Sequence, residues 1–107
     1  MRQMINIMKA LSGETRLRIL NLLLERECCI YEVTQTLGIS QPQASHDLSK
    51  LYDVGILKRR REGVSVIYSV DTLFHSDIIG VLKEVFENNK VAEMDRVRLQ
   101  QIEHLKL

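Results

Sequence analysis

Residues 30–54 read IYEVTQTLGISQPQASHDLSKLYDV and carry the clearest structural signal in the chain. Apolar side chains recur at helical spacing through Ile30, Val33 and Leu37, and Gly38 then interrupts the pattern. A second helical pattern begins after Ser40. Two short helices joined by a tight turn are typical of a helix-turn-helix, so we predict that motif over residues 30–54.

The second of these helices, over residues 41–54, begins with an S-x-x-Q capping box. In it, the side chains of Ser40 and Gln43 are each expected to satisfy a backbone N–H of the other residue. Pro42 falls in the first turn, where its missing N–H costs nothing. A helical wheel places the apolar residues together, with Tyr52 beside them: Ala44, Leu48 and Leu51. The opposite side carries short polar and hydrogen-bonding residues, which indicates an amphipathic helix with a narrow apolar seam.

The hydrophobic period changes to two after residue 55, which predicts a β-hairpin over residues 56–70. The strands are expected over 56–61 and 64–70, with Glu62-Gly63 as a two-residue turn. Apolar residues alternate along the second strand and predict one buried face: Val64, Val66, Tyr68 and Val70.

Helical patterns cover the chain before residue 30 and after about residue 73. Whether Asn88-Asn89 divides the last pattern into two helices is left open by the sequence. The fold that we predict is therefore mainly α with a small β-hairpin, in the order α-α-α-α-β-β-α.

Composition indicates one globular domain over residues 1–107. The chain is 45% apolar and 27% charged with a net charge of +1, which excludes a disordered chain and a globally basic nucleic-acid coat. It has no apolar run near the roughly 20 residues that cross a bilayer, and no apolar segment of a secretory signal. The two adjacent cysteines cannot form a disulfide framework and fit a reducing environment. We expect a cytoplasmic protein that does not bind membranes.

The sequence resembles the ArsR/SmtB family of bacterial and archaeal repressors over residues 5–70. The residues that carry the resemblance are ALSGETRLRIL at 10–20, ISQPQASH at 39–46, Leu48, Leu51, GIL at 55–57 and Tyr68. This resemblance implies a winged helix-turn-helix fold, a homodimer and binding to operator DNA. For many members it also implies release of the DNA when a metal or metalloid binds.

The helix over 41–54 is the predicted DNA-reading element, because the N-terminal residues of the second helix meet the base edges in helix-turn-helix proteins. The resemblance places the family's reading positions on Gln41, Pro42, Ser45 and His46. Glutamine can contact adenine through two hydrogen bonds, and serine can serve several acceptors. The predicted contacts from this helix are Ser40, Gln41, Pro42, Gln43, Ser45, His46, Ser49 and Lys50. The competing interpretation is the solvated face of a structural helix.

The densest cationic run is Lys58-Arg-Arg-Arg61, on the first strand of the hairpin. We predict that Arg59, Arg60 and Arg61 contact DNA phosphates. The competing interpretation is a charged strand that protects a sheet edge. Residues 40–70 contain five basic and three acidic residues, a small excess that the hairpin has to concentrate.

The sequence leaves two interpretations open for Cys28 and Cys29. Thiolates bind soft metals, and the resemblance implies a C-x-C thiol site whose first cysteine matches Cys29, although Tyr31 replaces the second. Arsenite favours three thiolates, whereas the chain has two cysteines. The competing interpretation is a pair of small hydrophobic side chains beneath the helix-turn-helix. The candidate effector is therefore arsenite or another thiophilic metal, and no other cofactor is expected.

The family's second metal site, on the C-terminal helix, is expected to be absent. The aligned positions are near Thr72, Phe74, Val85 and Asn88, whose side chains are poor ligands. His75 and His104 are isolated histidines.

Apolar residues in the terminal segments exceed what a core of this size can cover, which predicts a partner surface. We place dimerisation helices within 1–11 and 73–107, with these interface residues: Ile5, Met8, Ile78, Leu82, Val85, Phe86, Met94 and Val97. The apolar stripe continues to Ile102 and Leu105. A two-fold dimer would hold two reading helices about 34 Å apart, which suits an imperfect palindrome. The alternative is a monomer in which the C-terminal helices pack on each other.

These observations predict a DNA-binding transcriptional repressor and no enzymatic activity. Ser45-His46-Asp47 contains the residue types of a catalytic triad, but consecutive helical residues point about 100° apart. A further hypothesis is release from the operator by a thiophilic ligand or by thiol chemistry at Cys28 and Cys29. Two alternatives remain: a ligand-independent regulator of the same fold, and a winged-helix protein-interaction module that does not bind DNA.

Overall fold

The computed structural model describes residues 1–102 and confirms the predicted winged helix-turn-helix. The elements are α1 (Arg2–Leu11), α2 (Glu14–Glu25), β1 (Cys28–Cys29), α3 (Ile30–Leu37), α4 (Gln41–Asp53), β2 (Leu57–Glu62), β3 (Ser65–Val70), α5 (Ser76–Glu87) and α6 (Lys90–Gln101). Strand β1 is an element that the sequence analysis did not predict. No helix in residues 1–102 is both long enough and apolar enough to cross a membrane.

Helices α3 and α4 form the helix-turn-helix, and local chemistry sets the turn between them. Gly38 ends α3 in the left-handed region, at φ 68°, and its N–H donates to the Thr34 carbonyl at 2.9 Å. Glycine is favoured at this position because it has no Cβ to clash. Ser40 caps α4, since its Oγ accepts from the Gln43 N–H at 3.2 Å. The other half of the predicted capping box is not formed: the Gln43 side chain extends toward Asp47, to which its Nε2 donates at 2.6 Å.

The apolar seam of α4 lies in the core, as predicted. Ala44, Leu48 and Leu51 are each 0% exposed, and they pack in one cluster with residues of α2 such as Ile19 and Leu20. Burying a leucine side chain stabilises the fold by roughly 1.5–3 kcal/mol, so this seam anchors α4 firmly. The opposite face of α4 is left toward solvent.

The hairpin of β2 and β3, which we call the wing, turns one residue later than predicted. Leu57 pairs with Val70 and Glu62 with Ser65, so the two-residue turn is Gly63-Val64. Gly63 has a φ of 64°, and glycine first in a two-residue turn is typical of type II′. The predicted burial of Val64 is wrong, because a turn residue has no sheet face to join and the side chain is 89% exposed.

Strand β1 adds a third member to the sheet, in the order β1-β3-β2. Cys28 pairs with Tyr68 and Cys29 with Ile67, antiparallel. Strand β3 is therefore the central strand. The predicted alternation of buried and exposed side chains along it is weak, because Tyr68 is buried and the other five residues are all half-buried.

The C-terminal segment is two helices, a point that the sequence leaves open. Asn89 separates them by capping α6, its Oδ1 accepting from the Ala92 N–H at 3.0 Å. Helix α6 is then held on α2 by polar contacts. The Arg18 guanidinium donates to both carboxylate oxygens of Asp95, at 2.8 and 3.0 Å, and the Asn21 amide donates to the Ala92 carbonyl at 2.9 Å.

Candidate nucleic-acid interface

The outer face of α4 presents most of the predicted DNA contacts to solvent. Pro42 occupies the first turn of the helix, and Lys50 its last turn. The exposed predicted contacts are Ser40, Gln41, Pro42, Gln43, Ser45, His46 and Lys50, and Ser49 is half-buried. Short side chains on an exposed helix face allow the backbone to approach a groove closely.

Two of these side chains already have hydrogen-bond partners within the chain. The Ser40 hydroxyl accepts from the Gln43 N–H and so caps the helix. The Gln43 Nε2 donates to Asp47 Oδ2 at 2.6 Å, which leaves the amide oxygen and one N–H for other partners.

Asp47 is buried, with 2% of its surface exposed, and it has a role that the sequence pattern did not indicate. Its Oδ1 accepts from Arg16 Nη1 at 2.9 Å. Arg16 also donates from Nε to the Ala10 carbonyl at 2.7 Å, at the C-terminal end of α1. Arg16 therefore connects α1, α2 and α4. Since Arg16 neutralises Asp47, this carboxylate subtracts little from the positive charge around α4.

The wing lies against the C-terminal end of α4 through a cation–π contact. The Arg59 guanidinium carbon is 3.8 Å from the centre of the Tyr52 ring. Alternate residues of a strand share a face, so Arg61 projects from the same side of β2 as Arg59. Both side chains are exposed, so this side of the wing offers two cations to an external partner.

Arg60 projects from the other side of β2 and has carboxylate partners. It donates to both oxygens of Glu27, at 2.7 and 2.8 Å, and to Glu62 at 3.0 Å. The hydrogen bonds from Arg60 lower the pKa of Glu27, and those to Glu27 and Glu62 raise the pKa of Arg60. The structure thus separates Arg60 from Arg59 and Arg61, which the sequence analysis grouped together.

The burial and direction of Cys28 and Cys29 bear on the predicted thiol site. Both are buried, at 0% and 7% exposure, and consecutive strand residues point to opposite faces of a sheet. Burial raises the pKa of Cys28 to about 12, so this thiol is harder to deprotonate than an ordinary cysteine. Within residues 1–102 no group of three or more His, Cys, Asp or Glu side chains is placed to hold a metal ion. The two thiols therefore do not fit an arsenite ion that favours three.

The chain around Cys29 is held by Glu32, another residue that the sequence analysis did not single out. The Glu32 carboxylate accepts from the Cys29 N–H at 2.9 Å and from Arg26 Nη1 at 2.7 Å. Burial alone would raise the pKa of Glu32, but these hydrogen bonds outweigh it and the pKa is lowered. Cys29 is thus the N-cap of α3, held in place by Glu32, which suits a structural role.

The terminal helices expose an apolar surface that remains available to a partner. Of the predicted interface residues, five are between 38% and 56% exposed: Ile5, Met8, Val85, Met94 and Val97. Ile78 and Leu82 are half-buried. The assignment of Phe86 is wrong, because its ring is only 8% exposed within its own chain. Val81 on α5 and Val91 on α6 are also exposed, although they were not among the predicted interface residues. Leu105 and His104 lie outside the described residues.

Comparison with known proteins identifies relatives of this chain. Residues 13–59 match the family described as "Bacterial regulatory protein, arsR family". The chain is 30% identical over 89 residues to the arsenical resistance operon repressor of Staphylococcus aureus, covering 83% of this chain and 86% of the relative. It is 44% identical over 66 residues to a cadmium resistance transcriptional regulatory protein, the CadC homolog of Staphylococcus aureus. That match covers 61% of this chain and spans about half of the relative, at 54% of its length.

Among solved structures, the chain is similar to a homodimeric winged helix-turn-helix DNA-binding domain from Mycobacterium bovis. That domain is described as part of a possible ArsR-family transcriptional regulator. The two share 28% identity with a TM-score of 0.68, over 78% of this chain and 75% of the other. The likeness extends over the helix-turn-helix and the wing together.

Proposed function

The chain belongs to the arsR family of bacterial regulatory proteins, and we propose that it is a homodimeric repressor whose α4 reads operator DNA in the major groove. The observation that carries this proposal is the outer face of α4. It is exposed, it is built from Gln, Ser and His side chains, and Arg59 of the wing contacts the same helix at Tyr52. Base-reading groups beside phosphate-binding cations are the combination that sequence-specific binding requires.

The homodimer part of the proposal rests on the exposed apolar side chains of α1, α5 and α6. Each would cost roughly 1.5–3 kcal/mol if left fully in water rather than buried, so a two-fold interface built from them is favoured. The related domain from Mycobacterium bovis is described as homodimeric. In such a dimer the two α4 helices are expected to enter successive major grooves about 34 Å apart, on an imperfect palindrome.

The alternative of a protein-docking module without DNA binding is less well supported. A docking surface would be expected to centre on aromatic and apolar anchors. On α4 the exposed face is polar instead, and the one exposed aromatic side chain, Tyr52, lies under Arg59. Most of the exposed large apolar side chains lie on α1, α5 and α6, where the proposed dimer would bury them.

Release of the DNA by arsenite or another thiophilic ligand is the effector hypothesis that the family suggests. The relatives named for arsenical and cadmium resistance motivate it, but the buried, divergent thiols of Cys28 and Cys29 weigh against it. We therefore propose a repressor whose DNA affinity changes less than twofold on addition of arsenite. A fivefold weakening in the wild type that disappears when both cysteines are changed to serine would instead establish a thiol effector site.

The experiment that tests the proposed function is fluorescence anisotropy with two duplexes of equal length and composition. One is taken from immediately upstream of this protein's own coding sequence, and the other is its scrambled counterpart. We expect the wild type to prefer the upstream duplex by at least tenfold, and the double variant Gln41→Ala/His46→Ala to reduce that preference by at least fivefold. The matched control is Gln100→Ala/His75→Ala, which removes the same residue types from exposed positions away from α4. Equal affinity of the wild type for both duplexes would favour the docking alternative.

A further inference from the structure

We infer that Asp47 and Arg16 are positioning residues that make Gln43 an adenine reader. The inference deepens the proposed function and rests on it. Asp47 is 2% exposed and lies on α4 one turn after Gln43. Its two oxygens have different partners, since Oδ1 accepts from Arg16 at 2.9 Å and Oδ2 accepts from the Gln43 amide at 2.6 Å.

The chemistry of this triad fixes which way the Gln43 amide faces. Paired with a guanidinium, Asp47 is a carboxylate, and a carboxylate can only accept hydrogen bonds. The amide nitrogen of Gln43 must therefore face Asp47, because turning the amide over would set its oxygen against a carboxylate oxygen. An unanchored glutamine on a helix surface would turn over freely and could present either end of the amide.

The anchored amide retains one N–H and one oxygen for a base. Adenine offers an acceptor at N7 beside a donor at N6 in the major groove, and this pair is complementary to what remains on Gln43. Guanine offers two adjacent acceptors, N7 and O6, and would require two donors. Gln43 has already given one of its two N–H groups to Asp47, so it cannot satisfy guanine. The arrangement thus favours adenine and disfavours guanine at one position of each half-site.

Arg16 links the Asp47–Gln43 pair to helices α1 and α2. Its Nε donates to the Ala10 carbonyl at 2.7 Å, while Nη1 holds Asp47. The guanidinium is planar, so both contacts constrain its position. The orientation of Gln43 is therefore tied to the ends of α1 and α2 and does not depend on α4 alone.

The test uses duplexes that the full-length wild type selects from a randomised pool. The position read by Gln43 is the one at which Gln43→Ala loses base preference. There we expect the wild type to bind adenine over guanine by about 5- to 100-fold. In Asp47→Asn the neutral amide at residue 47 can donate or accept a hydrogen bond, so the Gln43 amide can face it in either orientation. We therefore expect the ratio of affinities for the adenine and guanine duplexes to fall below threefold. The salt dependence of binding should stay as in the wild type, because no phosphate contact is removed.

Asp95→Asn is the matched control, since Asp95 is also 2% exposed and also pairs with an arginine. Asp95→Asn should lower the free energy of unfolding about as much as Asp47→Asn does, and it should keep the wild-type ratio of affinities for adenine and guanine duplexes. Asp47→Ala is the second anchor variant, in case Asp47→Asn does not fold, and it too should bring the ratio below threefold. A wild-type ratio retained in a folded Asp47 variant would overturn the inference, as would full discrimination by Gln43→Ala. If the wild type selects no sequence at all, the proposed function fails first and the inference fails with it.

Discussion

The guanidinium of Arg59 stacks over the ring of Tyr52, 3.8 Å from its centre, and this contact ties the wing to the last turn of α4. A cation–π contact at an exposed site contributes about 0.5–1 kcal/mol. Its main consequence here is geometric, because it places a wing cation beside the helix that we propose as the DNA reader. The proposed DNA interface therefore combines two elements that are distinct in sequence.

Tyr52→Leu removes the aromatic face while keeping an apolar side chain of similar length. We expect DNA affinity to fall about two- to fivefold, because Arg59 loses its fixed position. Anisotropy titrations at one salt concentration measure the change. The control is Tyr31→Leu, which alters a tyrosine of similar exposure on α3. Equal losses in the two variants would show that Arg59 does not need the ring.

The side of the wing on which each arginine lies predicts its effect on salt dependence. A dimer that neutralises six to eight phosphates should show a slope of log affinity against log salt of about −5 to −7. In Arg59→Ala/Arg61→Ala, four phosphate contacts are lost per dimer and the slope should become shallower by about 3 to 4.

Arg60→Ala is the matched variant on the opposite side of β2, where Glu27 and Glu62 hold the side chain. Its slope should differ from that of the wild type by less than 1. A larger change for Arg60→Ala than for the Arg59/Arg61 pair would mean that the other side of the wing faces the DNA.

The raised pKa of Cys28 predicts a loss of stability at alkaline pH. The ordinary thiol pKa is 9.0, and burial raises that of folded Cys28 to about 12. Between these values the unfolded chain loses a proton that the folded chain keeps, so the free energy of unfolding decreases as pH rises above about 9 and is unaffected below it. Urea unfolding at pH 8 and pH 10 should show a larger decrease for the wild type than for Cys28→Ala. Equal decreases in the two proteins would contradict the buried neutral thiol.

Val97→Asp is expected to convert the dimer into a folded monomer, because it places a charge within the exposed apolar stripe of α6. Sedimentation equilibrium should give twice the chain mass of 12.4 kDa for the wild type and the chain mass for the variant. Gln100→Asp is the control, an exposed polar position on the same helix. A monomeric wild type would support the intramolecular alternative for the C-terminal helices.

The hydrophobic periodicity of the sequence was sufficient to predict the longer helices and the two strands of the wing. The helix-turn-helix and the wing are specified by local patterns of 3.6 and 2 residues and by glycines at the turns, so their boundaries are nearly right. Strand β1 could not be predicted, because two residues carry no period and its existence depends on pairing with Tyr68 and Ile67. The division between α5 and α6 was visible only as a pair of asparagines.

The contacts that organise the site were hidden because they join distant positions. Asp47 looks like a surface residue until Arg16, thirty-one positions earlier, is placed beside it. Arg60 looks equivalent to its neighbours until Glu27 is placed across the sheet. Phe86 has the spacing of an interface residue, yet the fold buries it in its own chain. Helical spacing identifies an apolar face but not which neighbour covers it.

If two α4 helices of a homodimer read one operator, the protein should leave a symmetrical footprint on the DNA. Hydroxyl-radical footprinting on a duplex selected by the wild type reports which sugars the protein protects along each strand. We expect two protected segments related by two-fold symmetry, with half-sites centred about 10–10.5 base pairs apart or a multiple of that spacing. A single unsymmetrical protected segment, or uniform protection without sequence selection, would contradict it.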